Sequence, residues 1–221
     1  MQKKNELLAQ SLLFSGLPED QLRKVAEIAI SKRYAKGAAI FFEGEPGIGF
    51  YMVTSGKVKI FKTSFDGREQ ILHIFGPGEP FGEVPVFHGN PFPANALALN
   101  DCEVLFFPRT EFVGLINSHP SLALNMLAVL ALRLRRFATQ VENLSLKEVP
   151  GRLASYLHYL MEEQQRQDQV VLDIPKGQLA SLLGTSSETL SRIFSKMSEE
   201  GLIRVEGKTI CILDGERLRE R

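Results

Sequence analysis

The chain has 221 residues, 44% hydrophobic and 24% charged, enough for one large domain or two smaller cores. Lys plus Arg and Asp plus Glu both number 26, so net charge is zero, and any nucleic-acid site must be a local patch. No apolar run approaches the roughly 18 residues that span a bilayer, and the polar opening MQKKNELL has no signal-peptide pattern. These features predict a soluble cytoplasmic protein with no membrane contact. Cys102 and Cys211 lie far apart, a spacing that suits buried thiols and excludes both a disulfide framework and a Cys-only metal site.

In chain order, the stretch LPEDQLRKVAEIA places Leu17, Leu22, Val25, Ile28 and Ala29 on one face of a short helix. From Arg33 to Pro108 short apolar runs such as FYMVTSG, KVKIFKT and QILHIFG are bounded by Ser55-Gly56, Asp66-Gly67, Gly76-Pro77-Gly78 and Gly89-Asn90-Pro91. Val58 and Ile60 alternate with Lys57 and Lys59 in the period of a half-buried strand, and Asp66-Gly67 predicts a hairpin. Many short strands with regular glycine turns predict a β-sandwich or jelly roll.

After Pro120 the period changes. Leu127, Leu130, Leu134, Phe137, Val141 and Leu144 follow at steps of 3, 4, 3, 4 and 3, an a/d seam without Gly or Pro. Either this is a core helix of its own domain or a helix that pairs with a second copy. The polar remainder (Arg133, Arg135, Arg136, Gln140, Glu142, Asn143) leaves only a narrow apolar seam and favours the dimer helix. Val149-Pro150-Gly151 breaks it. The expected architecture is thus α+β, with a β-roll domain at 1–118, a dimerisation helix at 119–148 and a helical domain with a β tail at 149–221.

Within the last segment GRLASYLHYLMEE is amphipathic through Leu153, Leu157, Leu160 and Met161, and LIRVEGKTICIL reads as a hairpin turning at Glu206-Gly207. Leu179, Leu182 and Leu183 form one short apolar stripe, Gly184 stops it, and Leu190, Ile193, Phe194 and Met197 form the next. Two short helices joined by a glycine turn are the helix-turn-helix pattern. Glu188, Ser191 and Arg192 share the polar face of the second helix, Lys196 adds local positive charge, and Ser186 and Ser187 sit at its N-terminal end, where a phosphate is favoured. The same residues admit another account, in which Thr185 and Glu188 form a capping box and Arg192 is a solvated surface arginine. Spacing alone does not choose between them.

Taken together, KGAAIFFEGEPGIGFYMVTSGKVKIFK, GPGEPFGEVPVF and LSRIFSKMSEEGLIRVEGKTICI resemble the CRP/FNR family of bacterial transcription regulators over nearly the whole chain. The resemblance implies a cyclic-nucleotide-binding-like sensor domain, a dimer helix and a winged helix-turn-helix. It also implies a homodimer that reads palindromic promoter DNA, with RNA polymerase as a partner. The catabolite-activator branch carries R-E-x-x-x-R where this chain has Ser187-Glu188-Thr189-Leu190-Ser191-Arg192, so the arrangement is similar to the FNR branch. Glu188 can accept from cytosine, Arg192 can pair with guanine, and Ser191 can bond an acceptor or pack on a thymine methyl; with the likeness to the FNR branch this implies a TTG-containing half-site.

The resemblance does not choose the effector. Its cyclic-nucleotide pattern has Gly-Glu followed about ten residues later by an arginine that pairs the phosphate. Gly82-Glu83 are present, but the later positions read Asn90-Pro91-Phe92-Pro93-Ala94, with no arginine between Arg68 and Arg109. A buried phosphate would lack its charge partner, which argues against cyclic AMP. Two cysteines are too few for a four-cysteine iron–sulfur cluster within one subunit.

Phe81, Val84, Val86, Phe87, Phe92 and Pro93 can line an apolar effector pocket, or simply fill the sandwich core. FGEVPVFHGNPFPANA is similar to the HcpR-type and DNR-type nitrosative-stress regulators, which implies haem and nitric oxide. His88 is then the candidate axial ligand, with His73 and Cys102 as the others. An enzyme is not expected, because no nucleophile–base pair, HExxH motif or GxxxxGK[ST] loop is present.

Overall fold

The computed structural model describes residues 2–11 and 13–219. The elements, in chain order, are α1 (Gln2–Gln10), α2 (Glu19–Ile28), β1 (Ile30–Tyr34), β2 (Ala39–Phe41), β3 (Gly49–Ser55), β4 (Val58–Thr63), β5 (Glu69–Phe75), β6 (Pro80–Phe81), α3 (Val84–His88), β7 (Asn95–Ala98), β8 (Cys102–Pro108), α4 (Arg109–Ser118) and α5 (Ser121–Leu146). They continue with α6 (Val149–Glu163), β9 (Gln169–Val171), α7 (Lys176–Leu182), α8 (Ser187–Glu199), β10 (Ile203–Glu206), β11 (Thr209–Ile212) and α9 (Gly215–Arg219).

Two antiparallel four-stranded sheets, ordered β1-β8-β3-β6 and β2-β7-β4-β5, make the β-roll. Between them lies an aromatic core of Phe41, Tyr51, Phe75, Phe81, Phe92 and Phe106, with Val53, Val58 and Val104. The other face of β3 and β8 sends Phe50, Met52, Leu105 and Phe107 into a second core with Phe14, Val25, Phe112, Leu122, Met126 and Val129 from the helical side. β3 is therefore buried on both faces, which explains why FYMV is a continuous apolar run and not an alternating one. The β4–β5 hairpin turns at Asp66-Gly67, where Gly67 takes φ +80°, as the sequence predicts.

One side chain departs from the expected alternation. Lys59 is 4% exposed, its ammonium pairs with Glu69, and Nζ lies 4.3 Å from the centroid of the Phe61 ring. The period of β4 itself is unbroken: Val58 and Ile60 face the core between the sheets while Lys59 and Phe61 share the other face, and the register shift of this ladder comes from one extra residue in β5, Leu72.

The chain forms two compact units, residues 1–134 and 135–221, whose division falls within α5. In the first, Leu122, Met126 and Val129 of α5 are buried. In the second, α6 begins with a proline in its first turn, and Leu157, Leu160, Leu179, Leu190, Phe194, Met197, Ile203, Ile210 and Leu218 are buried. The wing hairpin β10–β11 turns through Gly207 at φ +64°. A third strand, β9, pairs with β11. The Gln164 side-chain amide continues the ladder by donating to the Val171 carbonyl and accepting from its N–H, both at 2.9 Å. No single helix among the described residues is long and apolar enough to cross a membrane.

Candidate DNA-contact face and effector site

The turn between α7 and α8 is set by Gly184, which takes φ +64°, a conformation costly for residues with a Cβ. α8 then starts one residue later than the Thr185–Glu188 capping box implies. Ser186 is the N-cap, and its Oγ accepts from the Thr189 N–H at 3.2 Å. Glu188 therefore stands one position earlier in the first turn than that box requires. Its carboxyl is held below the ordinary range by a bond to its own backbone N–H, by the Ser186 hydroxyl and by Arg192.

Leu190, Phe194 and Met197 turn inward from α8, and the Lys176 ammonium lies 5.1 Å from the Phe194 ring centroid. The opposite face exposes Ser187, Glu188, Ser191, Arg192 and Lys196, with Ser186 at its N-terminal end. All six residues expected from the sequence therefore gather on one solvent-facing surface. The first-turn N–H groups and the helix dipole point out of the same end.

The expected seam of α5 is open to solvent in the single chain. Leu127 is 61% exposed, Leu134 71% and Val141 62%; Phe137 is also exposed, while Leu130 and Leu144 are half-buried. A row of large apolar side chains is thus left in water on one helix. The inward face of the same helix is a separate stripe: Leu122, Met126, Val129 and Arg133, at steps of 4, 3 and 4.

Arg133 is the residue that the linear reading missed. Its guanidinium pairs with the buried Glu83 carboxylate, donates to the Pro80 carbonyl and lies over the Phe75 ring, with Cζ 4.9 Å from the centroid. The side chains of Arg133 and Glu83 are only 16% and 12% exposed. The cation beside Gly82-Glu83 thus comes from α5, far from that motif in sequence, and it is already engaged by a carboxylate. Its place on the inward stripe is the sequence signal that could have found it.

The residues expected to line an effector pocket do not gather in one slot. Phe81 and Phe92 belong to the core between the sheets, where the Phe92 ring stacks on Phe41 with centroids 3.7 Å apart. Val86 belongs to the helix-side core, while Val84, Phe87, His88 and Pro93 are exposed. Gly82 takes φ +72°, and a Cβ there would sit 3.0 Å from Phe41; a Cβ on Gly47 would overlap Pro85 at 2.2 Å. Backbone and rings are close-packed around this motif.

Haem does not fit the candidate ligands. His88 ends α3 on the exposed surface, outside any apolar slot. His73 is half-buried, edge-on to Phe75, with Nε2 3.8 Å from a Glu79 carboxylate oxygen. The Cys102 thiol, raised by burial, donates to the Lys57 and Asn100 carbonyls at 3.0 and 3.1 Å and so stays protonated. Among the described residues no group of three or more His, Cys, Asp or Glu could hold a metal ion.

Comparison with known proteins agrees with this architecture. Residues 31–119 match the cyclic nucleotide-binding domain and residues 151–221 the Crp-like helix-turn-helix domain. The chain is 33% identical over 221 residues to a CRP-like cAMP-activated global transcriptional regulator of Mycobacterium tuberculosis, covering 98% of this chain and 99% of that protein. It is 34% identical over 210 residues to the cyclic AMP receptor protein of Thermus thermophilus, covering 95% and 96%. Among solved structures, FixK2 from Bradyrhizobium japonicum superposes with a TM-score of 0.77 at 26% identity, covering 87% of this chain and 96% of that one. With this β-roll, long helix and winged helix-turn-helix in that order, the chain belongs to the CRP-like family of DNA-binding transcription regulators.

Proposed function

We propose that the protein is a homodimer that binds a two-fold symmetric promoter site, one α8 in each of two successive major grooves. The observation that carries this is the exposed polar face of α8, set on a glycine turn and a serine cap. Arg192 pairs with guanine, Glu188 accepts from a cytosine amino group, and Ser191 contacts a neighbouring base edge. Ser186, Ser187 and Lys196 lie toward phosphates, which fix register without reading sequence. The half-site contains TTG. The dimer forms along Leu127, Leu130, Leu134, Phe137, Val141 and Leu144, acts in the cytoplasm and works through RNA polymerase. Selection of duplexes from a randomised library by the full-length protein at low salt tests this reading. A two-fold motif with a G·C pair in each half-site is expected; a pool without an enriched motif overturns it.

For the sensor, the residues favour an effector held without a cyclic phosphate. Pro93 and Ala94 stand where the resemblance places an arginine and a hydroxyl, and Phe92 fills space against Phe41. Arg133 is committed to Glu83, and freeing it would strand a buried carboxylate. A second reading, response to cyclic AMP, is favoured by the relatives named as cAMP-activated. Calorimetry separates the two: no heat with cyclic AMP is expected, and micromolar binding would establish the second reading. The nitrosative-stress reading rests on likeness in residues 81–96 alone, and the exposed His88 gives it no support.

A further inference from the structure

We infer that Thr189 is a positioning residue for Arg192, holding its guanidinium toward the N-terminal end of α8 before DNA is met. This rests on the reading of Arg192 as the guanine contact. Arg192 Nη2 donates to Thr189 Oγ1 at 3.2 Å. The same oxygen lies 3.2 Å from Ser186 Oγ, which in turn accepts from the Thr189 N–H at 3.2 Å. The three side chains form one continuous link from the helix cap to the guanidinium.

The geometry has a directional consequence. Residues 189 and 192 are one turn apart and share a face, and helical side chains lean toward the N-terminus. The Thr189 hydroxyl therefore draws Arg192 toward the end of the recognition helix, where base edges are contacted. Thr189 is half-buried and β-branched, so its own rotamer is restricted, whereas Arg192 is exposed on a long flexible stem. A stiff hydroxyl thus restrains a flexible cation. One N–H is used; the remaining donors of the guanidinium stay available for two-point pairing with guanine. Glu188, also on this face, supplies a nearby negative charge that Arg192 feels. A hydroxyl partner restrains the guanidinium without neutralising it.

A merely structural role for Thr189 makes a different prediction. The cap bond runs from the Thr189 backbone N–H, so it survives loss of the hydroxyl. On the selected duplex and on duplexes with the half-site G·C pair replaced, full-length Thr189→Val, Thr189→Ala and Thr189→Ser are compared with Arg192→Ala and Thr189→Val/Arg192→Ala. Thermal melts confirm folding, and the Ala variant serves where Val disturbs the helix. Thr189→Val is expected to lose about 2- to 12-fold of discrimination at that G·C pair, the cost of ordering one long side chain per contact. Thr189→Ser should restore it, and the double variant should discriminate no worse than Arg192→Ala alone. If Arg192→Ala loses discrimination while Thr189→Val keeps it, or weakens all duplexes equally, the positioning role is wrong and the base-reading role stands. If Arg192→Ala itself keeps discrimination, the guanine contact fails and the inference with it.

Discussion

Two arginines stand out at the residue scale, and they are held in opposite ways. Arg192 is exposed and donates to a neutral hydroxyl, so its charge remains available for a ligand. Its replacement by alanine should cost about 1–3 kcal/mol on the specific site and relax preference at one G·C pair per half-site. Equilibrium binding to matched and mismatched duplexes reads both effects. Arg133 is buried against Glu83. Removing one member of a buried ion pair leaves the other uncompensated, so Arg133→Ala should destabilise the β-roll unit by about 3–5 kcal/mol. The double change Arg133→Met/Glu83→Leu should be milder than Arg133→Ala alone, and urea unfolding of both variants measures the difference; equal destabilisation would show the pair to be uncoupled. The Glu83 end of this pair was legible as a motif. The Arg133 end was not, because 50 positions of chain separate them and only the folded sheet and α5 bring them together.

For the elements, periodicity carried most of the information. The long helix α5 and the two stripes of the helix-turn-helix are visible in sequence because apolar residues recur there at helical spacing. The Asp66-Gly67 hairpin is visible because its turn needs a left-handed residue. Three features were hidden for identifiable reasons. Strand β9 is short and owes its pairing partly to the Gln164 side chain. Lys59 is buried by an ion pair with Glu69 and by the Phe61 ring beneath its ammonium, which residue alternation does not encode. The residues expected to line a pocket are close in sequence but are spread by the fold: Phe81 on β6 faces the core between the sheets, while α3 sends Val86 to the helix-side core and Phe87 to solvent. The α5 seam carries its own prediction. Leu134 is 71% exposed in the single chain, so Leu134→Glu should leave the protomer folded. Between two helices, however, the carboxylate would be buried unpaired. Sedimentation should show monomers with native circular dichroism and loss of the specific site; a retained dimer would place the seam on another face.

On the scale of the whole molecule, a chain of zero net charge binds DNA only if its positive charge is local. Specific binding should therefore respond to salt through few phosphate contacts. Lys196→Ala should reduce the slope of log affinity against log salt by about two in a dimer, about one per removed contact, with little change in sequence preference. A titration series at several salt concentrations measures it, and an unchanged slope would remove Lys196 from the phosphate contacts. Two-fold symmetry is the claim on which all of these contacts depend. Half-sites one helical turn apart, about 34–36 Å between centres, suit a pair of recognition helices on one face of the duplex. The direct measurement is sedimentation equilibrium of the full-length protein on the selected palindrome and on the same duplex with one half-site scrambled. Two chains per palindrome, with affinity falling by orders of magnitude on the scrambled duplex, is the predicted result. One chain per duplex, bound equally well to both, would contradict it.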